Sequence, residues 1–105
     1  MLNPLDNKLW AVTAITTDNN GKGVYTLLTS GSLTQMDLVK GYLEDATKLV
    51  NEKWDSVKGL TELKGLTKNQ YFAIAMEKLV KEIHLQLPIA LTDDVIFTIH
   101  RVESL

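Results

Sequence analysis

The chain has 105 residues, of which 45 % are hydrophobic and 23 % charged, and its thirteen acids against eleven bases give a formal net charge of −2. A second independent core would leave each half too small to be stable, so this length predicts a single domain over residues 1–105. The chain has no cysteine, which excludes disulfides, zinc–thiolate sites and thiol chemistry. Its acidic balance disfavours binding to nucleic acid through phosphate contacts alone.

The N-terminal sequence predicts a cytoplasmic location. Residues 1–7 lack the basic start and the long apolar region of a secretion signal. No stretch of the sequence approaches the ~20 apolar residues of a membrane span. We therefore expect a soluble, cytoplasmic protein that has no membrane partner.

Two β-rich segments begin the predicted fold. Leu9–Thr17 and Val24–Thr29 are rich in β-branched and aromatic residues, which favour strands. Between them, the segment from Asp18 to Gly23 contains the Asn and Gly residues that positive-φ turn positions require. The sequence therefore predicts an antiparallel hairpin.

The same connecting segment partly matches a calcium-binding loop. Asp18 and Asn20 offer oxygen ligands, and Gly23 stands where that loop turns sharply. However, Lys22 occupies a ligand position, and Thr29 stands where a bidentate Glu should be. The sequence therefore favours a turn over a metal site.

Helical periodicity follows the second strand. Apolar residues at a spacing of three and four define one helix face, at Met36, Val39, Leu43, Ala46, Val50 and Trp54. Thr34 is a candidate N-cap, with Asp37 as its capping-box partner. This pattern predicts a helix from Gln35 to Trp54.

A second helix is predicted from Lys68 to Leu87. Thr67 and Gln70 match a capping box at its start. A broad apolar stripe follows, and Pro88 should end the helix because its ring is incompatible with a continuing one.

The last segment, Asp94–Glu103, alternates as a strand does, with Val95, Phe97 and Ile99 on one side. The element order is then β-β-α-α-β, which predicts an α+β fold: a small antiparallel or mixed three-stranded sheet with two helices packed on one face. Such a sheet has unpaired edges, and its first strand is apolar on both faces. We therefore expect a homodimer that extends or stacks the sheets.

The candidates for acid–base chemistry are His84, His100 and the pair Asp93-Asp94, and none belongs to a recognisable motif. The sequence also lacks a nucleophile elbow. It therefore predicts no catalytic residue, no metal and no cofactor, and a protein that is not an enzyme. A small-ligand site at a dimer interface would require these side chains to converge on a cavity.

Lysines cluster between the two predicted helices. The candidate binding residues there are Lys53, Trp54, Lys58, Lys64 and Lys68. Lysines can bind a phosphate backbone while a neighbouring aromatic ring stacks on a base, which would make this a nucleic-acid-binding loop. The favoured alternative is a solvated loop in which Trp54 is the last core residue of the first helix.

Since the sequence contains no chemical motif, the leading hypothesis is a non-enzymatic binding protein that acts through protein–protein contacts. An inhibitor, an immunity-type protein or a small regulatory subunit, encoded by a bacterium or a phage, fits this size and composition. Nucleic-acid binding through the lysines is the second hypothesis.

Overall fold

The chain folds into a three-stranded sheet and two helices; the structure, a computed structural model, describes residues 8–63 and 65–102. The elements are, in chain order, β1 (Trp10–Thr17), β2 (Gly23–Gly31), α1 (Leu33–Leu63), α2 (Lys68–Val80), a 3₁₀ turn (Lys81–Ile83) and β3 (Ile96–Arg101). All strand pairs are antiparallel, in the order β2-β1-β3. The predicted α+β fold with β-β-α-α-β order is confirmed.

The β1–β2 connection is a turn built around Asp18. Its carboxylate accepts hydrogen bonds from the backbone N–H groups of Asn20, at 2.8 Å, and Lys22, at 2.9 Å. Gly21 has a φ of +79°, a conformation that glycine adopts without steric cost. The Asp18 carboxylate therefore forms hydrogen bonds with the backbone of this loop, as expected for a hairpin turn.

Side-chain alternation along the strands divides the sheet into two faces. On the inner face, Val12 and Ala14 of β1 lie opposite Ile99 and Phe97 of β3. The register against β2 shifts at a β-bulge after Val12, and Leu28 also contributes to the inner face. These inner side chains belong to the hydrophobic core.

α1 begins earlier than predicted because a different residue caps it. The Ser32 hydroxyl accepts the Gln35 N–H, and the Gln35 side-chain carbonyl accepts the Ser32 N–H, both at 3.2 Å. This reciprocal pair is a capping box. The predicted cap pair, Thr34 and Asp37, was wrong, since both residues lie inside the helix.

α1 also continues beyond Trp54, its predicted end, to Leu63. The Trp54 ring packs against Tyr71 of α2, with ring centroids 5.5 Å apart. Gly59 lowers the helix propensity of this segment by about 1 kcal/mol relative to alanine. The helix continues through this segment although its side chains are mostly exposed, with Leu60 66 % exposed. The predicted inter-helix loop from Asp55 onward is therefore mostly helix.

α2 begins as predicted and ends earlier. The Thr67–Gln70 capping box is confirmed, with both hydrogen bonds present. At the other end, Leu85 N–H donates to the Val80 carbonyl and His84 N–H to the Lys81 carbonyl. These two bonds form a Schellman motif. The predicted end at Leu87 was therefore wrong, and the helix stops well before the proline.

The helices and the sheet share one cluster of buried side chains. α1 contacts all three strands on the inner face, and α2 packs against α1. The Tyr42 hydroxyl of α1 lies 2.6 Å from the Leu79 carbonyl oxygen of α2, which links the two helices. The most deeply buried large side chains are Phe72, Leu43, Met76, Leu91, Val12 and Val80. By length and hydropathy, neither of the two described helices could span a lipid bilayer.

Candidate functional site

Among the described residues, none on the side of the sheet opposite the helices is Asp, Glu, Lys or Arg, and the one imidazole there is that of His100. The strand register places eleven residues there, which we call the uncharged face: Ala11, Thr13, Ile15, Thr17, Gly23, Tyr25, Leu27, Ser30, Ile96, Thr98 and His100. None is Asp, Glu, Lys or Arg, although these make up 23 % of the chain. At that frequency a surface of this size would carry roughly two or three of them. Depletion of charge is typical of the centre of a protein–protein interface.

Large apolar side chains on the uncharged face are open to solvent. Tyr25 is 72 % exposed, Leu27 58 % and Ile96 60 %. Both described helices lie on the core side of the sheet and leave these three side chains uncovered. Monomeric proteins rarely expose contiguous apolar patches of this kind unless the patch binds something.

The central strand contributes two small, buried residues to the uncharged face. Ala11 and Thr13 on the central strand are buried between the flanking strands. Thr13 Oγ1 lies 2.7 Å from His100 Nε2 across the β1–β3 pair. This hydrogen bond holds the imidazole against the sheet.

A hydroxyl beside an imidazole also occurs in nucleophilic catalysis. That chemistry needs a third group to orient the imidazole and N–H donors to stabilise an oxyanion. Among the described residues, no carboxylate is hydrogen-bonded to His100. The backbone of Thr13 lies in the middle of the sheet, paired with strands on both sides. The pair therefore fits a cross-strand contact better than a catalytic dyad.

The two edges of the sheet differ in protection. β2 has no charged residue and no proline over nine residues. β3 ends with Arg101 and follows Asp93 and Asp94. Charges and prolines at an edge discourage pairing with a further strand. In the part of the chain that the structure describes, the β2 edge is the less protected one, and it borders the uncharged face.

The structure separates the residues that were predicted to form a lysine-rich binding loop. Lys53, Trp54 and Lys58 all lie on α1. The step from Lys53 to Lys58 turns about 140° around the helix axis, so these two side chains leave different faces. The Trp54 ring packs on Tyr71, as expected of a residue at the edge of the core.

Of the other two lysines, only Lys68 belongs to the described residues. Lys68 begins α2, and its ammonium lies 3.3 Å from the Asp93 carboxylate. Lys64 lies outside the described residues. The five candidates remain a prediction, and no described contact brings the lysines together around the Trp54 ring.

A surface cleft of about 510 Å³ lies at the end of α2. Its polar lining residues are Glu77, Lys81, His84 and Gln86. The volume is in the range of small-molecule sites, but such sites are mainly apolar and enclose their ligand. All four polar side chains here are exposed. The cleft has room for a small molecule, but its polar groups would remain solvated.

The candidate acid–base residues lie apart from one another. His84 follows the 3₁₀ turn after α2, whereas His100 lies on the sheet and Asp94 precedes β3, about 20 Å along the strand from His100. A hydrogen bond from the Thr92 hydroxyl lowers the pKa of Asp94 below its usual value, and one from Thr17 adds to the effect. The Asp94 carboxylate therefore takes part in the turn before β3.

Sequence reasoning detected the apolar character of both sides of β1 but did not identify the uncharged face as a site. The signal was the absence of charge at alternate positions of all three strands. This absence of charge can be recognised as a surface only when it is known that Leu27 and Ile96 lie on either side of β1. The register supplies that information, and the bulge after Val12 alters it midway.

No family model, curated protein or solved structure matches the chain.

Proposed function

We propose that this protein is a non-enzymatic binding protein whose contact surface is the uncharged face. The observation that carries the proposal is the combination of no ionised carboxylate, ammonium or guanidinium group with three largely exposed apolar side chains on one side of the sheet. An inhibitor, an immunity-type protein or a regulatory subunit would act in this way.

The energetics favour a protein over other occupants of this face. Covering Tyr25, Leu27 and Ile96 would remove apolar surface from water, at on the order of 1–2 kcal/mol for each. Aromatic residues such as Tyr25 are enriched where binding energy concentrates. A nucleic acid would find no cation on this face to neutralise its phosphates. The supporting features are those of a protein interface.

Nucleic-acid binding through the lysines is the alternative proposal. Lys53 and Lys58 on α1 would contact phosphates, so binding would weaken steeply as salt rises. Substitution of Lys58 by Glu would weaken it further. An affinity that is unchanged by salt and by Lys58→Glu would exclude the lysines as the binding residues.

Charge substitutions on the uncharged face test the main proposal. In Leu27→Lys and Ile96→Lys, an exposed apolar side chain becomes an ammonium that any protein partner would have to desolvate. Leu38→Lys makes the same change at a 72 % exposed leucine of α1 and serves as the matched control. We expect every protein association of the wild type, with itself or with another chain, to be lost in the two face variants and kept in the control.

The measurement combines affinity capture from a lysate of the native host, with and without nuclease, and sedimentation of the purified protein. Melting curves verify that all three variants remain folded. If both face variants retain the associations of the wild type, the uncharged face is not the contact surface.

A further inference from the structure

We infer that the occupant of the uncharged face is a second copy of this chain, stacked face to face. Two three-stranded sheets would form a sandwich, with the α1–α2 pairs on its two outer sides. This inference rests on the proposed function and identifies the partner of the same surface. Three properties of the face support it: its charge, its relief and its size.

The charge argument separates a second copy from a foreign surface. A two-fold interface is isologous, so each surface patch meets its own copy. A charged patch would then face its own charges on the partner copy. Two copies of the uncharged face bring no like-charged carboxylates, ammonium or guanidinium groups together. An ordinary protein surface carries both signs of charge, and each charge buried against this face would lose its hydration without gaining a partner. A second copy of the face avoids this desolvation cost because it contains no Asp, Glu, Lys or Arg.

The relief of the face is complementary to itself. The large Tyr25, Ile15 and Ile96 lie side by side at one end of the face, whereas the small Ala11 and Ser30 lie beside His100 toward the other end. Stacked sheets pack with side chains from the two faces interdigitating, about 10 Å apart. A two-fold axis that runs across the strands therefore places the large end of one copy over the small end of the other.

The size of the face predicts how tightly two copies bind. Edge strands of nine and six residues, at about 3.3 Å per residue and about 4.8 Å between strands, give a face on the order of 400 Å². Standard interfaces bury about 800 Å² on each partner, and smaller ones are weak and transient. We therefore expect a reversible dimer with a Kd on the order of 10–100 µM rather than an obligate one.

Pairing of two β2 edges is the competing way to form a dimer. It would use the unprotected backbone of β2 and extend the sheet to six strands. Ile96 distinguishes the two arrangements because it lies on β3, at the opposite edge of the sheet. A lysine at Ile96 would lie inside a face-to-face stack but would stay in solvent beside a β2–β2 pair.

Sedimentation velocity from about 10 µM to about 1 mM tests the inference. We expect the wild type to pass from monomer to dimer over this range. Leu27→Lys and Ile96→Lys should each raise the dimer Kd by at least about tenfold, because each buries an unpaired ammonium twice in a two-fold interface. Leu38→Lys should sediment as the wild type does.

Two results would overturn the inference: a wild type that stays monomeric throughout, or a dimer that Ile96→Lys leaves intact. The second result would indicate β2 edge pairing. Neither result by itself overturns the proposed function. If the wild type is monomeric yet captures another protein that both face variants lose, the face binds a foreign partner and only the identity of the occupant is wrong.

Discussion

At the end of α2, His84 adopts the left-handed backbone conformation, with a φ of 57°. This is the C′ position of the Schellman motif, which glycine usually fills because a Cβ is crowded there. The sequence contains no glycine near this point, so the apolar stripe through Leu87 suggested that the helix continued. A single backbone angle at a histidine ends the helix, and only the structure gives that angle.

The conformation of His84 predicts that glycine is better at this position. Relief of the left-handed strain should exceed the extra chain entropy of glycine, so we expect His84→Gly to raise the free energy of unfolding by on the order of 0.5–1 kcal/mol. Urea denaturation measures it. His84→Ala is the control, since it removes the imidazole and keeps the strain. A His84→Gly variant no more stable than His84→Ala would contradict the helix end described above.

At the scale of the elements, the two helices differ from their predicted lengths in opposite directions. α1 runs beyond its predicted end at Trp54, whose ring packs against Tyr71 of α2. α2 is shorter because the chain after it must turn toward the sheet, where Leu91 and Val95 are buried. Local sequence patterns carry little information about either contact, since each joins residues far apart along the chain.

The extension of α1 can be tested at Gly59. This glycine lies in the segment predicted as loop, within the helix, and a Cβ built on it meets no atom within 4 Å. Alanine has the higher helix propensity, so we expect Gly59→Ala to stabilise the protein by about 0.5–1 kcal/mol.

Gly65 provides the matched comparison for that substitution. It follows α1 with a φ of +75° and equally open surroundings. Gly65→Ala should destabilise the protein, because alanine is strained in that conformation. Thermal unfolding of both variants gives the result. If Gly59→Ala were instead destabilising, the segment around residue 59 would not be helical in solution.

For the whole molecule, the described charges lie on surfaces other than the uncharged face. The protein is 23 % charged, yet within residues 8–63 and 65–102 no Asp, Glu, Lys or Arg lies on that side of the sheet. Surface charge keeps proteins soluble and apart, while a face without charge allows association. For association with other molecules, the distribution of charge over the surface therefore matters more than the net charge of −2.

The uncharged face also predicts how the dimer responds to salt. No ion pair can form between two copies of the face, so salt has no electrostatic attraction between them to screen. We expect the dimer Kd to stay within about twofold between roughly 50 mM and 500 mM NaCl, measured by sedimentation equilibrium. An interface built on ion pairs would weaken strongly over that range, and such a result would place the contact elsewhere on the molecule.

The sequence alone predicts the α+β class, the order of the elements, the hairpin turn at Asp18 and the start of α2 at Thr67. All of these depend on contacts between residues close in the chain, where propensity, periodicity and capping are decisive. The Ser32 cap of α1 and the left-handed His84 after α2 are also local, but the sequence pattern did not single them out. The strand register that assembles the uncharged face and the contact between Trp54 and Tyr71 came only from the tertiary structure, because they depend on which distant segments meet.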